Sequence, residues 1–145
     1  MSEANNDAVL YVEDSEDDVF LMKYAFERAE VANPIEVVRD GQEAIDFLSQ
    51  FLKEGEQRRR LHLVLLDLKL PKKTGLEVLQ WMRQQPPLKK LPTLVFSSSN
   101  QKADVERAYE YGANAFLMKP SDPQTLQDMV KAIKHFWLTH NQLPE

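Results

Sequence analysis

A doubly wound α/β domain, with a parallel sheet and helices on both faces, is the fold class this sequence predicts. Three observations carry the prediction. Short aliphatic runs recur along the chain, as in Val9-Leu10-Tyr11-Val12 and Leu63-Val64-Leu65-Leu66, and runs of this length read as buried strands. Segments with apolar residues at helical spacing separate them throughout, which makes a parallel sheet with crossover helices. The run before Asp67 is apolar without alternation, as a central strand covered on both faces requires.

The elements follow in order. Residues 8 to 13 are the first strand. Ser15, with Asp18 three residues on, resembles a capping box in which Asp replaces Glu. The helix it opens runs to about Glu30 and shows Val19, Phe20, Leu21, Tyr24, Ala25 and Phe26 as a wide apolar face. Pro34 precedes a short strand, Ile35 to Val38. Asp40-Gly41 is a turn signal, and a helix with Ala44, Ile45, Leu48 and Leu52 follows, ended by Gly55. A polar connection, Glu56 to Arg60, leads to the third strand, Leu61 or His62 to Leu66. Gly75 precedes a helix bearing Leu76, Leu79 and Met82, which Pro86-Pro87 stops. The fourth strand is Thr93 to Phe96. The fourth helix covers about Lys102 to Tyr111 and ends at Gly112. The fifth strand is Ala115 to Met118. Asp122-Pro123, a cap followed by proline in the first turn, opens the last helix, with Leu126, Met129, Val130, Ile133 and Phe136 or Trp137 as its stripe.

Composition narrows the function classes. The chain has 145 residues, enough for one domain with its own core. Its net charge of −5 argues against a dedicated nucleic-acid surface. It has no cysteine, so thiolate catalysis, disulfides and cysteine-held zinc are excluded. The N-terminus is polar and acidic, unlike a signal peptide, and no stretch is apolar enough to span a membrane; a cytoplasmic protein is the expectation. We divide the chain into a flexible N-terminus (1–7), a domain (8–138) and a C-terminal tail (139–145).

The chemistry collects at strand ends. Glu13 and Asp14 close the first strand, Asp67 the third, Ser97 the fourth and Lys119 the fifth. A charge inside a buried strand is costly, so each carboxylate belongs where its strand emerges, and ligands of open parallel sheets bind along that edge. Carboxylates gathered there repel one another unless something positive sits among them. Oxygen ligands suit a hard divalent cation, commonly magnesium. A carboxylate with a metal, a hydroxyl and an ammonium around it is suited to accept a phosphoryl group. Nucleotide hydrolysis and hydride transfer lose ground, because neither a Walker-type loop nor a dinucleotide fingerprint is present. His62, His135 and His140 read as surface or element-end residues.

These residues carry a family resemblance. From about Val9 to Ile133 the chain resembles the receiver domain of two-component response regulators. The match rests on Tyr-Val-Glu-Asp-Ser at 11–15, Leu-Leu-Asp-Leu-Lys-Leu-Pro at 65–71, Gly75, Ser97, Gly112-Ala113 and Lys119-Pro120. The resemblance implies a flavodoxin-like sheet of five strands in order 2-1-3-4-5, with helices 1 and 5 on one face and 2, 3 and 4 on the other. It implies that Asp67 accepts a phosphoryl group from a sensor histidine kinase or a phosphotransfer protein. Glu13, Asp14, Asp67 and the backbone carbonyl of Lys69 would arrange Mg2+ (or Mn2+), Glu13 largely through water. Ser97 would be the switch hydroxyl, Phe116 the aromatic switch residue, and Lys119 the ligand of the phosphoryl oxygens. Pro120 would follow a cis peptide bond. The plain reading of Phe116 as core packing stays open. Lys69 and Ser99, two residues past the acceptor and the switch hydroxyl, are poor acids and bases for hydrolysis. Ser98 and Ser121 depart from the small and apolar residues common at their places in the family.

A narrower resemblance is to single-domain response regulators that partner phytochrome histidine kinases, several of which are homodimers. It rests on the polar segment before the third strand, Leu-Pro-Lys-Lys-Thr-Gly at 70–75, and Phe-Trp-Leu at 136–138. Output is then expected from a protein-interaction face on the fourth helix, fifth strand and fifth helix, with Tyr109, Tyr111, Phe116, Phe136 and Trp137 on or near it. Phe136 and Trp137 sealing the core is an equal alternative. Arg58-Arg59-Arg60 reads as a solvated loop. Two rivals remain: a metal-dependent phosphohydrolase, against which Lys69 stands where a general-acid aspartate belongs, and a structural receiver module that does without phosphorylation. No conventional substrate turnover is expected.

Overall fold

The computed structural model describes residues 7–52, 60–99 and 101–144. Its elements alternate as β1 (Ala8–Val12), α1 (Glu16–Arg28), β2 (Ile35–Val38), α2 (Gly41–Ser49), β3 (Leu61–Leu66), α3 (Gly75–Arg83), β4 (Thr93–Ser97), α4 (Lys102–Glu110), β5 (Ala115–Met118) and α5 (Pro123–His135). The five strands are parallel and ordered β2-β1-β3-β4-β5. All strands therefore end on one edge, and the central β3 delivers Asp67 between the ends of β1 and β4.

Strand periodicity divides the core into two layers. Leu10, Val12, Val64, Leu66 and Val95 pack against Ala44 and Leu48 of α2, Val78, Leu79 and Met82 of α3, and Ala108 of α4. Val9, Tyr11, Leu63, Leu65, Leu94 and Phe96 pack against Val19, Met22, Ala25 and Phe26 of α1 and Leu126, Val130 and Ile133 of α5. Helices 1 and 5 share a face, as the resemblance implied. β3 is buried along its whole length.

One residue breaks the alternation. Ala8 pairs with Leu61 but Val9 with Leu63, so His62 is an extra residue on β3. Such a bulge re-aims side chains. Leu61 joins the layer of Val64 and Leu66, and His62 is buried rather than exposed, its Nε2 donating to the Trp137 carbonyl at 3.0 Å. That carbonyl lies in a π-helical turn, Phe136–His140, that continues α5 and buries Leu138.

Several sequence expectations need correction. α1 ends at Arg28, with Ala29 as its cap and Glu30 at φ 58°, so it is shorter than predicted. Its apolar face is also narrower: Phe20, Leu21 and Tyr24 are exposed, because only the stripe of Val19, Met22 and Phe26 faces the sheet. α2 tightens into a 3₁₀ turn at Gln50–Leu52; Gly55, Arg58 and Arg59 lie outside the described residues, as do residues 1–6. Asp7 is anchored, since its carbonyl accepts from Asn33 Nδ2 at 2.8 Å. The described peptide bonds are all trans, Lys119–Pro120 included. The trans isomer is the intrinsically favoured one, and Lys119 reaches its carboxylate partners with it.

Two glycines have defined work. Gly112 ends α4 at φ 104°, against the Arg83 side chain that donates to its carbonyl. Gly75 starts α3 where a Cβ would lie 2.1 Å from the Asp67 carbonyl oxygen. Gly75→Ala must therefore push the end of β3 and α3 apart. It should lower stability by about 1–3 kcal/mol, the usual cost of overpacking, read from the urea midpoint. A midpoint equal to wild type would show that the approach is not tight.

Candidate functional site

The strand ends bring the predicted residues together. Glu13 is 1% exposed and Asp67 5%, whereas Asp14 beside them is exposed. Carboxylate oxygens of Glu13, Asp14 and Asp67 all lie within 4.8 Å of one another. The Lys119 ammonium reaches two of them, 2.8 Å from Glu13 Oε1 and 3.2 Å from Asp67 Oδ2, and lies 2.9 Å from Asp18 Oδ2. Asp67 is held on its other oxygen by the Lys69 backbone N–H, which donates to Oδ1 at 3.3 Å.

β5 is the edge strand next to β4, and Lys119 N donates to the Ser97 carbonyl at 2.9 Å, which sets where the lysine leaves the sheet. The Ser97 side chain is buried and its Oγ accepts from Ser99 N at 3.1 Å. Ser99 is tied in turn, donating to Asp104 Oδ2 at 2.6 Å. Phe116 is half-buried against the layer of α2, α3 and α4. Lys69 is exposed.

Sequence reasoning missed two participants. Asp18 was read as half of a capping box. Ser15 Oγ does accept from Asp18 N at 3.2 Å, but the reciprocal bond is absent. Ser15 N donates instead to Glu13 Oε2 at 3.2 Å, and the shorter Asp side chain turns to Lys119. The signal available was three consecutive acids, Glu16-Asp17-Asp18, in the first turn, which equally describes ordinary helix-dipole pairing. Tyr11 was read as core. It is fully buried and its hydroxyl donates to Glu13 Oε1 at 3.4 Å. Burial first, and then the carboxylates of Glu13, Asp18 and Asp67, raise its pKa, so it stays a neutral donor beneath the site.

Burial pushes Glu13 up to about 7, with Asp67 adding to the rise; the Lys119 ammonium and the Ser15 N–H pull the other way and do not offset it. Burial alone would lower Lys119, but bonds to Glu13 and Asp18 and the charge of Asp67 raise its pKa, so it remains a cation. The site is acidic with one internal cation. Its oxygen-only donor set fits a hard divalent ion.

Residues 9–131 match the family described as the response regulator receiver domain. The chain belongs to that family. It is 38% identical to the response regulator Rcp1 of Synechocystis over 99% of both chains, and superposes on the Mn2+-bound form of Rcp1 with a TM-score of 0.83, over 96% of this chain and 99% of that one. It is 39% identical to the probable methanogenesis regulatory protein FilR2 of Methanothrix harundinacea, over 94% of this chain and 86% of FilR2. The phosphorylated cyanobacterial phytochrome response regulator RcpA superposes with a TM-score of 0.86 at 36% identity, over 97% of this chain and 99% of RcpA. Receiver domains bind a divalent metal and interact with histidine kinases or phosphotransfer proteins. This receiver domain keeps the acid cluster that such a metal needs.

A raised carboxyl pKa has a defined pH signature. Glu13 contributes stability that is fully present below its ordinary value of 4.5 and is lost as pH rises through about 7. In chelator, wild-type Tm should therefore fall from pH 5 to pH 8 by more than that of Glu13→Gln, whose amide does not titrate. Equal slopes would remove Glu13 as the source.

Proposed function

We propose that this receiver domain takes a phosphoryl group onto Asp67 from the phosphohistidine of a sensor kinase or phosphotransfer protein. The observation that carries the reading is the setting of Asp67, a buried strand-end carboxylate held between the Lys119 ammonium and the Lys69 N–H beside two further acids. In the transfer an Asp67 oxygen attacks phosphorus, the phosphorus–nitrogen bond of the donor breaks, and its electron pair leaves with the imidazole. Lys119 holds charge on the transferring oxygens. Mg2+ or Mn2+, held by Glu13, Asp14, Asp67 and the Lys69 carbonyl, supplies Lewis-acid withdrawal of charge from the phosphoryl group when bound. Ser97 Oγ exchanges its bond to Ser99 N for one to the phosphoryl group, and Phe116, already half-buried, follows it inward.

The likeness to a phytochrome response regulator supports a phytochrome-type kinase as the donor. No helix among the described residues is long and apolar enough to cross a membrane. Exposed Tyr109 and Met118 mark the output face of α4 and β5. The two aromatics after α5 divide their work: Trp137 packs on the core, while Phe136 is 52% exposed and meets it edge-on at 5.0 Å. Phe136 is thus available to a homodimer. The net charge of −5 supports a protein rather than a nucleic acid as partner.

Incubation with a phosphorylated phytochrome kinase and Mg2+ should give stoichiometric, acid-stable and hydroxylamine-labile labelling. Asp67→Asn should abolish it, and labelling that survives would sink the acceptor assignment. Sedimentation over a dilution series should show a monomer–dimer equilibrium, which Phe136→Ala weakens by roughly tenfold, the effect of truncating an aromatic anchor. A wild-type monomer at every concentration would rule the dimer out.

A further inference from the structure

Among the described residues, Asp18 is the one partner of the Lys119 ammonium outside the acid cluster. The ammonium has three protons and meets three carboxylates, Glu13 at 2.8 Å, Asp18 at 2.9 Å and Asp67 at 3.2 Å. Glu13 and Asp67 both belong to the cluster that fits a divalent ion, and Asp18 does not. Its bond to Lys119 is therefore the one with which a cation in that cluster does not compete.

Asp18 is also held in place. Ser15 N donates to Glu13 Oε2, Asp18 N donates to Ser15 Oγ, and Lys119 Nζ donates to Asp18 and pairs with Glu13 Oε1. These bonds form a closed ring through the end of β1, the first turn of α1 and the end of β5. A lysine side chain has much rotamer freedom to lose, and the ring removes it before any phosphoryl group arrives. The Asp18 side chain is 37% exposed and lines, with Leu21, Lys119 and Pro120, a small pocket of about 40 Å³ beside the site.

We propose that Asp18 is a positioning residue for phosphoryl transfer, an inference that rests on the receiver reading above. Its carboxylate accepts a hydrogen bond from one ammonium N–H of Lys119 and so keeps the other two directed at the Asp67 side. Asp18 stays unbonded to phosphorus throughout; the bond made is Asp67 oxygen to phosphorus and the bond broken is the donor's.

The test measures labelling of the whole chain by acetyl phosphate with Mn2+, read by intact mass, and Mn2+ affinity by calorimetry. Asp18→Ala should slow labelling at saturating donor by about tenfold, the scale on which misplacement of a catalytic group is felt, with Mn2+ affinity unchanged. Asp18→Asn should retain most of the rate, because its amide oxygen still accepts a hydrogen bond. In a Lys119→Ala background, Asp18→Ala should do nothing further, whereas a merely structural role would lower both backgrounds alike. Wild-type rates in Asp18→Ala, additive losses, or a parallel loss of Mn2+ affinity would overturn the proposal. If Asp18→Ala does not fold, Asp18→Ser carries the same expectation. Labelling of Asp67→Asn would instead defeat the receiver reading, whatever Asp18 does.

Discussion

One ammonium among three carboxylates organises this protein. Lys119 lies within 3.2 Å of Glu13, Asp18 and Asp67, groups from the end of β1, the first turn of α1 and the end of β3. Without it, buried acids this close would repel one another into protonation or apart. With it, Asp67 is held near a cation while Glu13, the most buried of them, remains on the edge of neutrality. A single positive charge does not balance all the acids, and the surplus is what gives the edge its affinity for a further cation. The phosphoryl transfer proposed for Asp67 would add negative charge at the same place, and one electrostatic arrangement would then serve both the resting and the modified domain.

The sheet makes this arrangement by covering everything else. Both faces of β1, β3 and β4 are packed under helices, and their residues are buried throughout. Polar chemistry can then appear only where strands emerge. Order β2-β1-β3-β4-β5 puts the two acid-bearing strands side by side, with the hydroxyl and the lysine on the next two. Gly75 brings α3 against the Asp67 carbonyl, so the end of β3 is braced by its own following loop. Ser97 and Phe116 sit on paired strands, and Val95 is the residue opposite Phe116. Ser97 itself pairs with Met118, two residues beyond Phe116 on the outer strand.

α1 shows how little of a helix's apolar content is committed to the core. Val19, Met22, Ala25 and Phe26 face the sheet, while Phe20, Leu21 and Tyr24 face solvent. The same helix contributes Asp18 to the lysine. Its first turn is thus part of the site, and exposed Leu21 lines the small pocket beside it.

The element order, the strands and the strand-end residues were legible in the chain because they depend on local chemistry. Aliphatic runs cannot stay in water, and charges cannot enter the runs. Asp67, Glu13, Asp14, Ser97 and Lys119 could be named, since each stands where a run stops. Boundaries failed where tertiary contacts decide them. Asp18 kept its backbone bond to Ser15, but its side chain turned to a lysine 101 residues away, a choice no window of sequence contains. Tyr11 looked like core and is also a donor to Glu13. His62 turned inward because β3 carries one residue more than β1 can match. The sequence by itself determined which residues are costly to bury and hence which must lie at the edge. Only the tertiary structure decided which of them share one proton donor, because strand order and helix placement set distances that sequence spacing does not encode.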